Sequence, residues 1–147
     1  MRQLMWFRTD LRVHDNSALA AAMAAGPTVA LFLLSPGEWQ AHNDAPAKVD
    51  FWLRNLAHLQ QQLHQLNVPL LIAKADTWSE APQVLARLCQ EHDIAVVQVN
   101  DEYGVHESRR DEACASLLAQ QGVAFRGHLD QLFFQPGSLL TQSGTYF

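Results

Sequence analysis

The chain has 147 residues, 48% hydrophobic and 17% charged, the balance of one packed domain and not of a disordered segment. Its formal net charge of −5 supplies no electrostatic footprint for a phosphate backbone, so any nucleic acid must be gripped by residues elsewhere. Two cysteines without CxxC or Cys/His spacing, and no apolar run long enough for a signal peptide or a membrane span, point to a reducing, cytoplasmic setting. Leu4 to Phe7 opens the chain as a short apolar run and predicts a buried strand. Asp15-Asn16-Ser17 offers an N-cap for an alanine-rich helix from Ala18 to Ala25, which Gly26-Pro27 ends. Thr28 to Leu34 is a second strand, apolar nearly throughout, as a sheet covered on both faces requires.

Ser35-Pro36-Gly37 breaks that strand, and a loop through Trp39, His42 and Asn43 follows. A long helix then runs from about Ala45 to Leu66, with Trp52, Leu56, Leu59 and Leu63 in its apolar stripe. Val68 to Ala73 is the third strand. Ser79 is preferred as the next N-cap, because the rival capping box of Thr77 with Glu80 would push Pro82 one turn deeper. Val84, Leu85, Leu88 and Cys89 form that helix's inner face. Ala95 to Val99 is the fourth strand, Val105 to Gln121 the fourth helix, closed by Gly122, and a fifth strand begins at Val123 to Phe125.

Five strands alternating with four helices predict a doubly wound α/β domain with a parallel sheet, in Rossmann-like or flavodoxin-like order. The domain is expected to fill residues 1–132, with 133–147 starting a connection to a further domain. Sheets of this class bind ligands outside the carboxyl ends of their strands. Three polar segments lie there: Arg8 through Asn16, Trp39 through Asn43, and Asn100 through Glu107. Taken alone, Arg8, Asp10 and Arg12 read as an ion-pair network that staples a loop. His42 reads as a loop-ordering histidine, Glu107 as a carboxylate favoured by a helix dipole, and Trp52 and Trp78 as packing residues. GxGxxG, GxxxxGK[ST] and GxSxG are all missing, which removes the usual support for dehydrogenase, kinase and hydrolase readings.

The segment Trp6-Phe7-Arg8-Thr9-Asp10-Leu11-Arg12-Val13-His14-Asp15-Asn16-Ser17-Ala18-Leu19 resembles the opening signature of the photolyase/cryptochrome family, WFRxDLRxxDNxAL. Trp39, His42, Asn43 and Pro46, then Val68-Pro69-Leu70, Asn100 through Asp111, Pro136-Gly137 and Gly144 to Phe147 resemble further family segments in order. The resemblance implies the amino-terminal, antenna-binding domain of a bacterial deoxyribodipyrimidine photo-lyase. The helical, FAD-binding and DNA-binding domain would lie beyond Phe147. The parent would use light and reduced FAD to split cyclobutane pyrimidine dimers; the domain alone would be inactive and would contact its own carboxyl-terminal domain but not DNA or membrane. A cryptochrome photoreceptor and a stand-alone small-molecule module are the alternatives.

The antenna that the resemblance implies is methenyltetrahydrofolate first and a deazaflavin second. His42 and Glu107 match positions of the family's folate site. His106 stands where folate-binding members often carry Asn. The family draws its contacts to the folate tail from the second domain, so the resemblance also implies weak antenna binding by this domain alone.

Overall fold

The computed structural model describes residues 1–41 and 45–129. Five strands, β1 (Arg2–Phe7), β2 (Thr28–Leu34), β3 (Leu70–Lys74), β4 (Ile94–Asn100) and β5 (Ala124–His128), pair in parallel in the order β3-β2-β1-β4-β5. This is the Rossmann-like order, so the flavodoxin-like alternative falls away. The α-helices among the described residues are α1 (Ser17–Ala25), α2 (Pro36–Ala41), α3 (Pro46–Gln65), α4 (Ala81–Glu91) and α5 (Val105–Gln120).

Strand β1 carries the core. Its alternation sends Leu4 and Trp6 to one face of the sheet and Met5 and Phe7 to the other, each at most 2% exposed. Leu4 and Trp6 pack with Leu85, Leu88, Cys114 and Leu118 of α4 and α5. Met5 and Phe7 pack with Ala18, Leu19 and Ala22 of α1 and Leu56, Leu59 and Leu63 of α3. Burying such a side chain contributes roughly 1.5–3 kcal/mol.

Helix ends follow the local chemistry. Asn16 caps α1, its Oδ1 accepting from the Leu19 N–H at 3.0 Å. Gly122, at φ 77°, ends α5 with Val123 N–H on the Leu118 carbonyl and Gly122 N–H on the Ala119 carbonyl. Asn67, at φ 59°, ends α3 with the same two-bond closure, Val68 to Leu63 and Asn67 to His64. That closure makes Val68 part of the helix stop, and β3 starts at Leu70 instead of Val68.

Two expectations are corrected. The segment after β2 is not a plain loop: Pro36–Ala41 forms α2. The Thr77/Glu80 capping box prevails over Ser79, with the Glu80 carboxylate accepting from the Thr77 N–H at 3.2 Å. A 3₁₀ turn at Trp78–Glu80 absorbs the extra residues, so Pro82 still falls in the first turn of α4, where its missing N–H costs nothing.

Cys89 and Cys114 are free and buried, and burial pushes both thiols up to about 12. A native-state thiol titration at about pH 8 is expected to find neither, and both should react once urea unfolds the chain. Above about pH 8.5 the unfolded chain loses these protons first, so stability should fall with rising pH up to about 12.

Candidate functional site

The strand order reverses between β1 and β4, and the residues leaving those two strands are cross-linked. Arg8 follows β1; its Nη1 and Nη2 donate to the Asp111 carboxylate at 2.8 and 3.2 Å, and Nη2 also reaches the Asn100 carbonyl at 2.7 Å. Asp10 folds back to accept from the Arg8 N–H at 2.8 Å and from Asn100 Nδ2 at 2.6 Å. The same Nδ2 donates to the capping oxygen of Asn16 at 2.8 Å, and Asn100 Oδ1 accepts from the Ala18 N–H at 3.0 Å. The charged turn thus clasps β1, β4, α1 and α5 together. Arg12 donates to the Asp15 carbonyl at 3.0 Å.

A second cation sits above the first. Arg110 on α5 is 6% exposed, donating to Glu102 at 2.7 Å and Asp111 at 3.0 Å. Burial alone would lower its affinity for the proton, but Asp111 and Glu102 outweigh burial and raise it, so the charge is fixed. Both guanidinium groups lie against Trp6, with Arg8 at 4.7 Å and Arg110 at 5.2 Å from the ring centroid, and Arg110 also covers Trp78 at 4.6 Å. The neighbouring Asp101 carboxyl is pushed up by burial and by Asp111, against the opposing pull of Arg8 and His128.

This layer forms one wall of a cavity of about 400 Å³ at the carboxyl ends of β1 and β2. All four tryptophans of the chain, Trp6, Trp39, Trp52 and Trp78, line it. Trp39 and Trp52 meet at 6.3 Å between ring centroids with planes tilted by 40°, and Lys48 lies 4.9 Å over Trp52. Two bonds hold α2 against the segment after β3: Glu38 accepts from the Trp78 N–H at 2.8 Å, and Asp76 from the Gly37 N–H at 3.1 Å. The volume suits a planar bicyclic or tricyclic ring, and the aromatic faces supply stacking area.

Among the sequence-selected residues, Glu107 lines this cavity. It has no hydrogen-bond or ion-pair partner among the described residues, so its carboxylate is available to N–H donors on a ligand. Its side chain packs over Gly104, where a Cβ would collide with the carboxylate. His106, one residue earlier, lines an adjoining groove instead. His42 lies outside the described residues, as does the expected boundary at 132. Trp52 and Trp78, expected to serve packing, line the cavity. Trp78 follows β3, a strand end outside the three polar segments that the sequence selects.

Residues 3–147 match the family model described as DNA photolyase. The chain belongs to the DNA photolyase family. It is 36% identical to the deoxyribodipyrimidine photo-lyase of Vibrio cholerae, covering 99% of this chain and 31% of that protein. It is 35% identical to cryptochrome-1 of Arabidopsis thaliana, over 98% of this chain and 21% of that one. The crystal structure of a bacterial class III photolyase from Agrobacterium tumefaciens superposes with a TM-score of 0.74 at 28% identity, covering 99% of this chain and 29% of that one. The chain therefore spans about a third or less of the length of these relatives and corresponds to the amino-terminal domain of the photolyase/cryptochrome architecture.

Proposed function

We propose that this photolyase-family domain holds an antenna chromophore in its tryptophan-lined cavity. Glu107 accepts hydrogen bonds from N–H groups on the ring edge, His42 lies against the chromophore, and His106 contributes a further hydrogen bond nearby. The observation that carries this reading is the Glu107 carboxylate, without a partner among the described residues, on a cavity lined by every tryptophan of the chain. An acceptor-only group suits a ring edge rich in N–H donors, which favours methenyltetrahydrofolate over a deazaflavin. In a chain that continues into a helical domain with FAD, the antenna would pass excitation to reduced FAD, whose electron splits a cyclobutane pyrimidine dimer. DNA would be bound by that second domain, not by this acidic one. The reading includes a cytoplasmic setting. No helix among the described residues is long and apolar enough to cross a membrane.

Tryptophan fluorescence offers the test, because a pigment in the cavity would quench four nearby emitters. Methenyltetrahydrofolate and a deazaflavin would each be titrated into the chain as given and into the same chain continued into its flavin-binding part. Glu107→Ala is expected to weaken folate binding about tenfold or more, the loss of a charge-assisted hydrogen bond. Gly104→Ala should act in the same direction without unfolding the protein: Gly104 has φ −63°, so only the Glu107 carboxylate is displaced. Unchanged affinity in both variants would remove Glu107 from the site. Absence of quenching by either pigment in either protein would remove the antenna reading.

The 35% identity to cryptochrome-1 supports a second reading, a photoreceptor without repair activity. Light-dependent reversal of dimers by the continued chain would decide for the photolyase, and its absence for the photoreceptor.

A further inference from the structure

Strands β4 and β5 end side by side, away from the tryptophan cavity, and carry a charge that the domain does not use. Asp101 follows β4, and its N–H donates to the carbonyl of His128, the last residue of β5, at 2.8 Å. Its side chain lies over Gly127, where a Cβ would meet the carboxylate, so the edge strand gives up a side chain where the charge sits. The neighbouring acids Glu102 and Asp111 are committed to Arg8 and Arg110. The Asp101 carboxylate is half-buried and has no hydrogen-bond or ion-pair partner among the described residues.

Two exposed apolar side chains frame it. Tyr103 is 42% exposed, and its phenol is pushed up by burial and by Asp101. Leu129, next to His128, is 38% exposed. None of the three residues lines the tryptophan cavity or the groove beside it. A partly desolvated carboxylate between a ring and an aliphatic side chain matches a guanidinium or ammonium carried on an apolar surface. Phe51 and Leu53 on α3, and Met23 and Leu66 beside α1, are also exposed. The charges flanking Phe51, Asp50 and Arg54, already pair with each other at 2.9 Å.

Chain geometry selects the occupant. The chain passes Leu129 on this surface, so a continuation is tethered from it, and tethering raises effective concentration far above that of a free partner. This chain covers 31% of the Vibrio cholerae photo-lyase, so most of that protein lies outside the matched part. We propose that Asp101, Tyr103 and Leu129 form the docking surface for this chain's own continuation, which sets a lysine or arginine against Asp101 and apolar side chains against Tyr103 and Leu129. The proposal rests on the reading that a further domain follows, and not on which pigment the cavity takes.

Amide hydrogen exchange would test it, comparing the chain as given with the same chain continued into its flavin-binding part. Exchange across residues 101–104 and 127–129 is expected to be about tenfold slower in the continued chain. Asp101→Asn, and separately Tyr103→Ser, should each return about fivefold of that protection, and added salt should reproduce the Asp101 effect. In the chain as given, Asp101→Asn should leave the melting temperature unchanged, because the carboxylate gives up no partner. A lowered melting temperature there would assign Asp101 an internal role and overturn the proposal. Equal exchange in the two chains, protection that survives both substitutions, or protection confined to Phe51–Leu53 or to Met23 and Leu66 would overturn it too. Protection that rises with concentration in the chain as given would assign the surface to a second copy instead. A coding sequence ending at Phe147 would remove this proposal together with the flavin-bearing continuation. Pigment quenching is read separately, so loss of the docking surface leaves the antenna reading standing.

Discussion

Asn100→Ala is expected to lower stability by about 3–5 kcal/mol, the upper range for a single substitution. The side chain is 1% exposed and holds three partners at once: the Asp10 carboxylate, the Asn16 capping oxygen and the Ala18 N–H. Alanine leaves all three buried without their partner. The carboxylate matters most, because Asp10 is 3% exposed and would keep the Arg8 N–H as its one remaining partner of those described. An uncompensated buried acceptor costs about 1–3 kcal/mol, and more when charged. Urea unfolding would measure the loss, and the melting temperature should drop by roughly 10 °C for a chain of this length. Asn100→Asp should make the stability depend on pH. It preserves shape but sets a second carboxylate 2.6 Å from Asp10 in the present geometry, so the variant should be weak at neutral pH and recover partly in acid. A loss below about 1 kcal/mol for Asn100→Ala would mean that water fills the clasp and that Asn100 does not organise it.

The clasp also shows where sequence reasoning reaches its limit. The run from Trp6 to Leu19 identifies a strand, a charged turn and a capped helix, and all three are present. Which groups the charged residues meet is another matter. Arg8 pairs with Asp111, 103 residues away, and Asp10 with Asn100, 90 residues away. Neither distance leaves a local pattern. The parallel sheet was legible because apolar runs and helical stretches alternate, but the choice of Rossmann-like order was not: it depends on which edge each crossover takes. Helix α2 was hidden by Pro36 and Gly37, read as breakers although proline at the first helical position is favourable.

The lining of the cavity was partly legible for a related reason. A rule about carboxyl ends of parallel strands led to Glu107, which does line the cavity. The same rule grouped His106 with Glu107, since it works in segments and ignores the 100° turn between consecutive helical residues. The tryptophans at 6, 39, 52 and 78 come from β1, α2, α3 and the turn before α4. Their convergence is a product of chain topology, and a tryptophan in an apolar helix stripe reads as packing until the fold places it.

Arg110→Met should be the other damaging substitution, and it separates stability from chromophore binding. The Arg110 side chain is 3% exposed, bonds both Glu102 and Asp111, and lies between Trp6 and Trp78. Methionine fills comparable volume but removes the charge, leaving Arg8 alone against two largely buried carboxylates. Removing one partner of a buried ion pair costs about 3–5 kcal/mol. Because Glu102 and Asp111 keep 13% and 15% side-chain exposure, the lower end of that range is expected here. The deficit should narrow in acid, as protons relieve the surplus negative charge, and chemical denaturation across pH would show it. Arg110→Lys keeps the charge but cannot bond Glu102 and Asp111 through a planar fork while covering two rings, so it should recover only part of the loss. Chromophore affinity would then discriminate between roles. If Arg110 serves only the clasp, variants measured where they remain folded will bind pigment as the wild type does. If it shapes the cavity by fixing Trp6 and Trp78, binding will fall in Arg110→Lys even where unfolding is negligible, with a change in the near-ultraviolet dichroism of those rings. The two rings at 5.2 and 4.6 Å from one guanidinium favour the second outcome, because no other described cation covers both.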